Sequence, residues 1–267
     1  MDAVGERGGW VWVQTEQSYT AGNIYGEPQK TPRIGGQYQA EILSLMTENK
    51  RLQLIGFVPG SRNARRNVLE FGRTFVVMSK GTHHATIVLL HGISEKGSRS
   101  KWICPSAPTR QVTLFGGYPC TAWFNVESMS EDACDDLEGL DASATHVANL
   151  LSNEPDDVKL GIAGFSIGAA VALYSATCRA VGQYGNGNRY PINLSATVAL
   201  SGWLPTSRNL RNRVGASQEA ARRTASLPTL LCHGQVDDVV DCKIGEKSAQ
   251  TMYSAGFQNL TFRTYNR

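Results

Sequence analysis

The sequence predicts an α/β fold in which a mostly parallel β-sheet carries helices on both faces. Two observations support this prediction. Apolar, β-branched runs typical of strands buried on both faces recur along the chain, and Ala85–Leu90 (ATIVLL) is the clearest of them. Segments with helical periodicity separate these runs, as expected when crossover helices join parallel strands. A chain of 267 residues with 41% hydrophobic residues is long and apolar enough to bury a core.

The predicted strands follow one another from Thr74 to Tyr265. They are Thr74–Met78, Ala85–Leu90, Trp102–Cys104, Val158–Ala163, Ser195–Leu200, Thr229–Cys232 and Leu260–Tyr265. Apolar residues at three- and four-residue spacings predict the helices. The predicted helices are Glu131–Asn153, Ile167–Cys178 and Ile244–Ser254.

Residues 1–68 differ from the rest and predict a poorly structured N-terminal extension, followed by one folded domain over residues 69–267. Within the extension, Tyr38–Leu54 can form a short amphipathic helix. Its apolar side would carry Ile42, Leu43, Leu45 and Met46. A small basic cluster follows, formed by Arg62, Arg65 and Arg66. We interpret the cluster as a solvated linker rather than a nucleic-acid contact, because no aromatic platform or known motif accompanies it.

Charge, cysteine use and apolar runs limit the compartment and the partners. A net charge of +3 is too small to indicate a nucleic acid or an anionic membrane as partner. No apolar run reaches the roughly 18 residues of a membrane span, and the N-terminus does not read as a signal peptide. The six cysteines are scattered, which favours reduced thiols. We expect a cytoplasmic protein, with the nucleus as a second location, that makes at most transient contact with membrane surfaces.

A G-x-S-x-G motif carries the predicted chemistry. Gly164-Phe165-Ser166-Ile167-Gly168 follows a predicted strand and opens a predicted helix, which is the setting of a nucleophile elbow. A tight turn from strand to helix needs small residues beside the serine. The turn also lifts the serine hydroxyl off the sheet, next to the free N–H groups of the helix N-terminus. The alternative interpretation is a glycine-rich turn that carries an ordinary surface serine.

Two backbone N–H groups are expected to stabilise the oxyanion of a tetrahedral intermediate. One belongs to Ile167, the residue after the serine, and the other to Ile93, in the loop after the Ala85–Leu90 strand. His91 precedes this loop, and we interpret it as a residue that holds the loop rather than as a base.

A late strand is followed by the residues Cys232-His233-Gly234-Gln235-Val236-Asp237-Asp238. The acid of a Ser…Asp…His triad is expected at the carboxyl end of such a strand, so Asp237 and Asp238 are both candidates. We interpret His233 as a buttress of this loop rather than as a proton acceptor.

From about Glu70 onward the chain resembles the acyl-protein thioesterase and lysophospholipase-like carboxylesterase family, in particular its plant-type members. The resemblance rests on Glu70–Val77, Ala85–Gly92, Trp102–Val126, Gly161–Ala170, Ala199–Pro205 and Leu231–Asp238. It implies an α/β-hydrolase fold and hydrolysis of thioester or oxyester bonds to long acyl groups. The implied substrates are S-acylated proteins, lysolipids or small esters, and the reaction requires no metal or organic cofactor.

The resemblance also assigns roles to individual residues. Ser166 matches the nucleophile and Asp237 the triad acid, while Ile93 and Ile167 match the oxyanion donors. The segments that match the surroundings of the acyl-binding groove contain Trp123, Phe124, Trp203 and Leu204.

The chain departs from the family pattern in four ways. The family places the triad histidine a few residues beyond a strand like Leu260–Tyr265, but none of the five histidines here follows Asp237. The connection Ile93–Lys101 is short for a crossover with a full helix, and it has Ser94-Glu95 in place of the usual Gly-Asp. Ile167 stands where the family often has Gln, and the final helix that covers the sheet is absent. A truncated or alternatively spliced product would explain the missing histidine, the short connection and the missing helix.

Two hypotheses from different classes follow. The first is a serine hydrolase of acyl thioesters and esters, which acts in protein depalmitoylation or lysophospholipid hydrolysis. The second is a catalytically inactive form that binds acyl groups or partner proteins. The density of family motifs favours the first hypothesis, and the missing histidine favours the second for this polypeptide.

Overall fold

The computed structural model describes residues 71–72, 74–79, 82–90, 100–128 and 134–266. Several sequence-based predictions lie outside these ranges: the N-terminal extension over residues 1–68, with its amphipathic segment and basic cluster; the role of His91; the oxyanion donor Ile93 and most of the connection that follows it; and the start of the first predicted helix at Glu131. The boundary between the extension and the domain therefore stays a prediction.

A seven-stranded sheet forms the centre of the described domain. Its strands are β1 (Thr74–Val77), β2 (Ala85–Leu90), β3 (Ser100–Pro105), β6 (Lys159–Phe165), β7 (Ala196–Leu200), β8 (Thr229–Gly234) and β9 (Leu260–Tyr265). The spatial order is β1-β3-β2-β6-β7-β8-β9. Only β1 pairs antiparallel, with β3, and all the other neighbours in this sheet are parallel. The predicted mostly parallel sheet is confirmed.

A separate hairpin lies between β3 and the first described helix. Its strands are β4 (Thr109–Val112) and β5 (Tyr118–Thr121), which pair antiparallel. This hairpin was not predicted from the sequence. Most of its residues are exposed or half-buried, so it lacks the apolar signal of the buried strands.

Five α-helices belong to the described residues, together with two 3₁₀-helices, Thr113–Phe115 and Ser207–Asn209. The α-helices are α1 (Leu137–Leu151), α2 (Ile167–Val181), α3 (Leu210–Gly215), α4 (Gln218–Ser226) and α5 (Cys242–Ser254). The prediction that the first helix begins at Glu131 is wrong for Cys134 to Asp136, which are not helical. The Asp136 side chain accepts a hydrogen bond from the Gly139 N–H at 2.9 Å, and this N-cap begins the helix at Leu137. Helices α3 and α4 were not predicted.

Alternate side chains of the strands divide the core between the two faces of the sheet. Val88, Leu90, Ile103 and Ile162 pack in one cluster with the buried residues of α1, α2, α3 and α5. Ile87, Leu89, Trp102 and Ala163 point to the opposite face and belong to a second cluster. Buried residues of four of the described helices, α1, α2, α3 and α5, thus pack on the first face.

His146 on α1 makes the stability of the domain depend on pH. Its ring stacks on Phe71 with the ring centroids 3.9 Å apart, and burial lowers its pKa from 6.5 to about 4. As the pH falls from 6.5 towards 4, the unfolded chain takes up a proton at His146 that the folded chain does not. The neutral His146 ring therefore contributes its full stabilisation above pH 6.5, and this contribution decreases as the pH falls from 6.5 towards 4.

We expect the His146→Leu variant to lose less thermal stability than the unsubstituted chain when the pH falls from about 7.5 to about 5. The measurement is the melting temperature at both pH values. The exposed Asn149 lies on the same helix, so Asn149→Leu serves as the control and should lose as much as the unsubstituted chain. Equal losses in all three proteins would contradict the role of His146.

Candidate active site

Ser166 occupies the turn between β6 and α2. Strand β6 ends at Phe165 and helix α2 begins at Ile167, so Ser166 is the single residue between them. Its backbone has φ 53° and ψ −123°, in a region that residues other than glycine rarely adopt. The predicted strand–turn–helix context of the G-x-S-x-G motif is confirmed, and the serine has the strained backbone of a nucleophile elbow.

The two glycines of the motif allow the helix to turn back so sharply. A Cβ atom on Gly164 would lie 2.1 Å from the Gly168 carbonyl oxygen, and one on Gly168 would lie 2.5 Å from the Leu90 carbonyl oxygen. Both obstacles are backbone atoms, so no side-chain movement relieves them. Gly202 follows the end of β7 and also permits this close packing, because a Cβ atom on it would lie 2.9 Å from the Ser166 carbonyl oxygen.

Backbone hydrogen bonds extend the sheet at the edge where Ser166 lies. The Ser166 N–H donates to the Leu200 carbonyl at 2.9 Å, and the Ser201 N–H donates to the Cys232 carbonyl at 2.8 Å. The Gln235 N–H donates to the Tyr265 carbonyl at 2.7 Å. These bonds join the residues that follow β6, β7 and β8 to the neighbouring strands β7, β8 and β9, respectively. The carboxyl ends of these strands therefore form one continuous edge.

Asp237 lies in the loop after β8, at the same edge as Ser166 and two strands away from it. Its Oδ1 accepts hydrogen bonds from the N–H groups of Val239 at 3.1 Å and Val240 at 3.0 Å. Burial raises the pKa of Asp237, but these two amides, the Ser201 side chain and the nearby His233 outweigh burial and hold the pKa below its usual value. Asp237 is therefore ionised near neutral pH, whereas Asp238 is exposed to solvent.

Ser201 is a site residue whose role the sequence analysis missed. It follows β7, has φ 47°, and its side chain helps to lower the pKa of Asp237. Ser201 directly follows a buried strand and has a glycine next to it, as Ser166 directly follows β6 in a glycine-rich turn. That pattern is the available signal, but it does not reveal that Ser201 follows the strand next to the one that precedes Asp237.

Ile167 is the first residue of α2, so its N–H has no acceptor within the helix. The position suits an oxyanion donor, because the N-terminus of a 15-residue helix favours negative charge. The structure leaves the role predicted for Ile167 as a prediction.

Three of the described histidines, His83, His146 and His233, make side-chain contacts with residues other than Ser166. His83 hydrogen-bonds to Thr86 at 2.8 Å, and both His83 and His84 precede β2, at the opposite edge of the sheet. His146 stacks on Phe71, as described above. The His233 ring donates from Nε2 to the Val240 carbonyl at 2.7 Å. The interpretation of His233 as a loop buttress is confirmed.

The four residues predicted to line the acyl groove differ in exposure. Trp123 is 0% exposed, Phe124 is 2% and Leu204 is 6%, whereas Trp203 is half-buried. The rings of Phe124 and Trp203 meet edge to face with their centroids 6.0 Å apart. Trp203 thus retains a surface that can contact a ligand, with Phe124 packed behind it. The assignment of all four residues to a groove stays a prediction.

The family of this chain follows from its similarity to known proteins. The Phospholipase/Carboxylesterase family pattern matches residues 72–267. The chain belongs to this family. Acyl-protein thioesterase 1 homolog 2 of Dictyostelium discoideum is 30% identical over 209 residues, which cover 70% of this chain and 85% of that protein. Acyl-protein thioesterase 1 of Debaryomyces hansenii is 26% identical over 206 residues, covering 68% and 82%.

Solved structures agree with this family membership. The crystal structure of Zea mays acyl-protein thioesterase 2 matches with a TM-score of 0.70 and 59% identity, over 73% of this chain and 90% of that chain. Arabidopsis thaliana SOBER1 matches with a TM-score of 0.53 and 24% identity, over 68% and 88%, and supports the fold alone. The predicted α/β-hydrolase fold is confirmed. Among the described helices, none is long and apolar enough to cross a membrane.

The glycines of β6 provide a matched test of the elbow. We expect Gly164→Ala to lower the free energy of unfolding by at least about 2 kcal/mol, because the new methyl group collides with backbone. Gly161→Ala is the control, since its Cβ would meet Ile87 Cγ1 at an ordinary 3.5 Å. Urea unfolding of both variants measures the difference. Equal stabilities would show that the close approach at Gly164 does not constrain the turn.

Proposed function

We propose that this protein hydrolyses thioester and ester bonds to acyl groups, with Ser166 as the nucleophile and Asp237 as the acid of the triad. The observation that carries the proposal is the position of Ser166, held at φ 53° between β6 and the N-terminus of α2. An ionised carboxylate lies on the same edge of the sheet, in the loop after β8. Family membership over residues 72–267 supports the same reaction class.

The reaction proceeds through an acyl-enzyme. Ser166 Oγ attacks the acyl carbonyl carbon and gives its proton to a base, and the N–H groups of Ile167 and Ile93 stabilise the oxyanion. The bond from carbon to sulfur or oxygen then breaks, and the leaving thiol or alcohol receives the proton. Water attacks the acyl-serine by the same route and releases the fatty acid.

The edge of the sheet also indicates where a triad histidine would act. Strand β9 is parallel to β8 and adjacent to it, so residues that follow Tyr265 emerge beside the Asp237 loop. The Gln235 N–H already bonds to the Tyr265 carbonyl at this point. A histidine a few residues beyond β9, as in the family pattern, would therefore lie next to Asp237.

S-acylated proteins are the substrate class that we propose, with lysolipids and small esters as further candidates. The relatives reported above are acyl-protein thioesterases by name. The exposed part of Trp203, backed by Phe124, offers an apolar surface that suits an acyl chain.

A second candidate function applies to residues 1–267 alone. His83, His146 and His233 contact residues other than Ser166, His84 precedes β2 at the amino ends of the parallel strands, and no histidine follows Asp237 in the sequence. Removal of the histidine from such a triad lowers turnover by roughly 10⁶-fold. This polypeptide would then bind acyl groups without turning them over.

Imidazole rescue distinguishes the two functions. We expect purified 1–267 to cleave a long-chain acyl thioester no faster than its Ser166→Ala variant in plain buffer. Added imidazole replaces the missing base and should raise the rate of 1–267 well above that of Ser166→Ala, which corrects for direct hydrolysis by imidazole. The exposed Ser254 supplies the matched control, and Ser254→Ala should behave as the unsubstituted chain.

Each result decides between the candidates. Rescue that depends on Ser166 supports the proposed nucleophile. A rate that depends on Ser166 without imidazole overturns the second candidate. The hydrolase function for residues 1–267 is overturned if the cleavage rate does not depend on Ser166 with or without imidazole while the chain still binds a non-hydrolysable acyl thioether.

A further inference from the structure

A glycine-rich turn follows α2 and carries the sequence Gly185-Asn186-Gly187-Asn188. Asn186-Gly187 is the only Asn-Gly pair among the 267 residues, and both of its residues are exposed to solvent. The turn lies beyond the C-terminus of α2, at the opposite end of that helix from Ser166. The chemistry of this pair is therefore separate from that of the proposed active site.

Asp141, a buried carboxylate on α1, anchors the turn. Its Oδ1 accepts hydrogen bonds from the Tyr174 hydroxyl at 2.5 Å and from the Gly185 N–H at 2.9 Å. Its Oδ2 accepts a hydrogen bond from the Asn186 N–H, also at 2.9 Å. Asp141 is only 6% exposed, so these donors replace the water that a carboxylate needs. The turn is thus joined to α1 and, through Tyr174, to α2.

The Asn186 side chain is turned towards the backbone that follows it. Its Oδ1 accepts a hydrogen bond from the Asn188 N–H at 2.9 Å. This bond draws electron density from the Asn186 Cγ, and it would stabilise the negative charge that develops on Oδ1 when a nucleophile attacks that carbon. The nitrogen of Gly187 lies between the two asparagines in the chain, and its attack on Cγ closes a five-membered ring.

Gly187 leaves the attacking nitrogen unhindered. The residue has φ 86°, and a Cβ atom built on it would meet nothing within 4 Å. Its N–H donates to the Tyr184 carbonyl at 3.2 Å, at the long end of the range for such hydrogen bonds. Because glycine has more backbone freedom than any other residue, small local movements bring this nitrogen to the Asn186 Cγ.

We propose that Asn186 is a site of spontaneous deamidation, which loosens the turn from Asp141. The Gly187 nitrogen bonds to the Asn186 Cγ and gives up its proton, the bond from Cγ to the side-chain nitrogen breaks, and ammonia leaves. Water then opens the resulting succinimide at either carbonyl, which gives aspartate or isoaspartate at position 186. Water is the only co-reactant.

Either product weakens the anchor. The new carboxylate belongs to the residue whose N–H binds Asp141, so two negative charges repel each other beside a buried site. Isoaspartate also lengthens the backbone by one carbon before Gly187. This extra carbon lies inside the turn that the Tyr184 N–H closes on the Asn188 carbonyl at 2.8 Å. Both changes loosen the attachment of the turn to α1 and α2.

Ageing of the folded chain measures the reaction. At about pH 8 and about 37 °C, we expect Asn186 to deamidate at least about tenfold faster than Asn188, which is exposed in the same turn but precedes Arg189. Peptide mass spectrometry with electron-transfer fragmentation distinguishes amide, aspartate and isoaspartate at each position. Asn186→Gln should keep its amide, because attack there would have to close a less favourable six-membered ring. Equal rates at the two asparagines, or reaction of Asn186 only when the chain is unfolded in urea, would overturn the proposal.

Melting temperatures test the link to Asp141. Asn186→Asp supplies one product directly, and we expect it to melt at least about 2 °C below the unsubstituted chain. Asn188→Asp adds the same charge to the same turn and should lower the melting temperature less. In the Asp141→Asn background the loss caused by Asn186→Asp should disappear, because the carboxylate that repels the new charge is gone. Equal effects of the two aspartates, or an undiminished loss in that background, would contradict the loosening of the turn from Asp141.

Discussion

The close approach of α2 to the end of β6 is the constraint on which the site depends. Gly164 and Gly168 let the backbone reverse within one residue, because a methyl group at either position would collide with a carbonyl oxygen. The reversal forces Ser166 to a positive φ and brings its hydroxyl to the N-terminus of a buried helix. The hydrogen bond from the Ser166 N–H to Leu200 then fixes this turn to the neighbouring strand. The strain at Ser166 persists because packing and hydrogen bonding determine its backbone from both sides.

The same edge of the sheet positions the charge of the site. Strands β6, β7 and β8 are neighbours, so Ser166, Ser201 and Asp237 follow three adjacent carboxyl ends. Two backbone amides and the Ser201 side chain lower the pKa of Asp237 and keep it ionised. The His233 ring donates a hydrogen bond to the Val240 carbonyl and so holds the same loop. A parallel sheet thus brings together side chains that lie far apart in the sequence.

The sequence predicts the parts of this arrangement that depend on apolar pattern and on local turn chemistry. Buried strands such as Ala85–Leu90 and the G-x-S-x-G turn both have strong local signals. The hairpin of β4 and β5 has no such signal, because its residues are mainly exposed, and α4 is polar with only two buried residues. The start of α1 depends on the single side-chain cap at Asp136. The influence of Ser201 on the pKa of Asp237 depends on sheet order, which no local pattern encodes.

The central claim is that the elbow makes Ser166 the reactive serine of the chain. Fluorophosphonates phosphonylate an activated serine with loss of fluoride, so the modified residue identifies the nucleophile. The measurement is tandem mass spectrometry of 1–267 after reaction with a long-chain fluorophosphonate in imidazole buffer. We expect one adduct, on the peptide that contains Ser166. An adduct on another residue, or equal labelling of Ser166→Ala, would contradict the account.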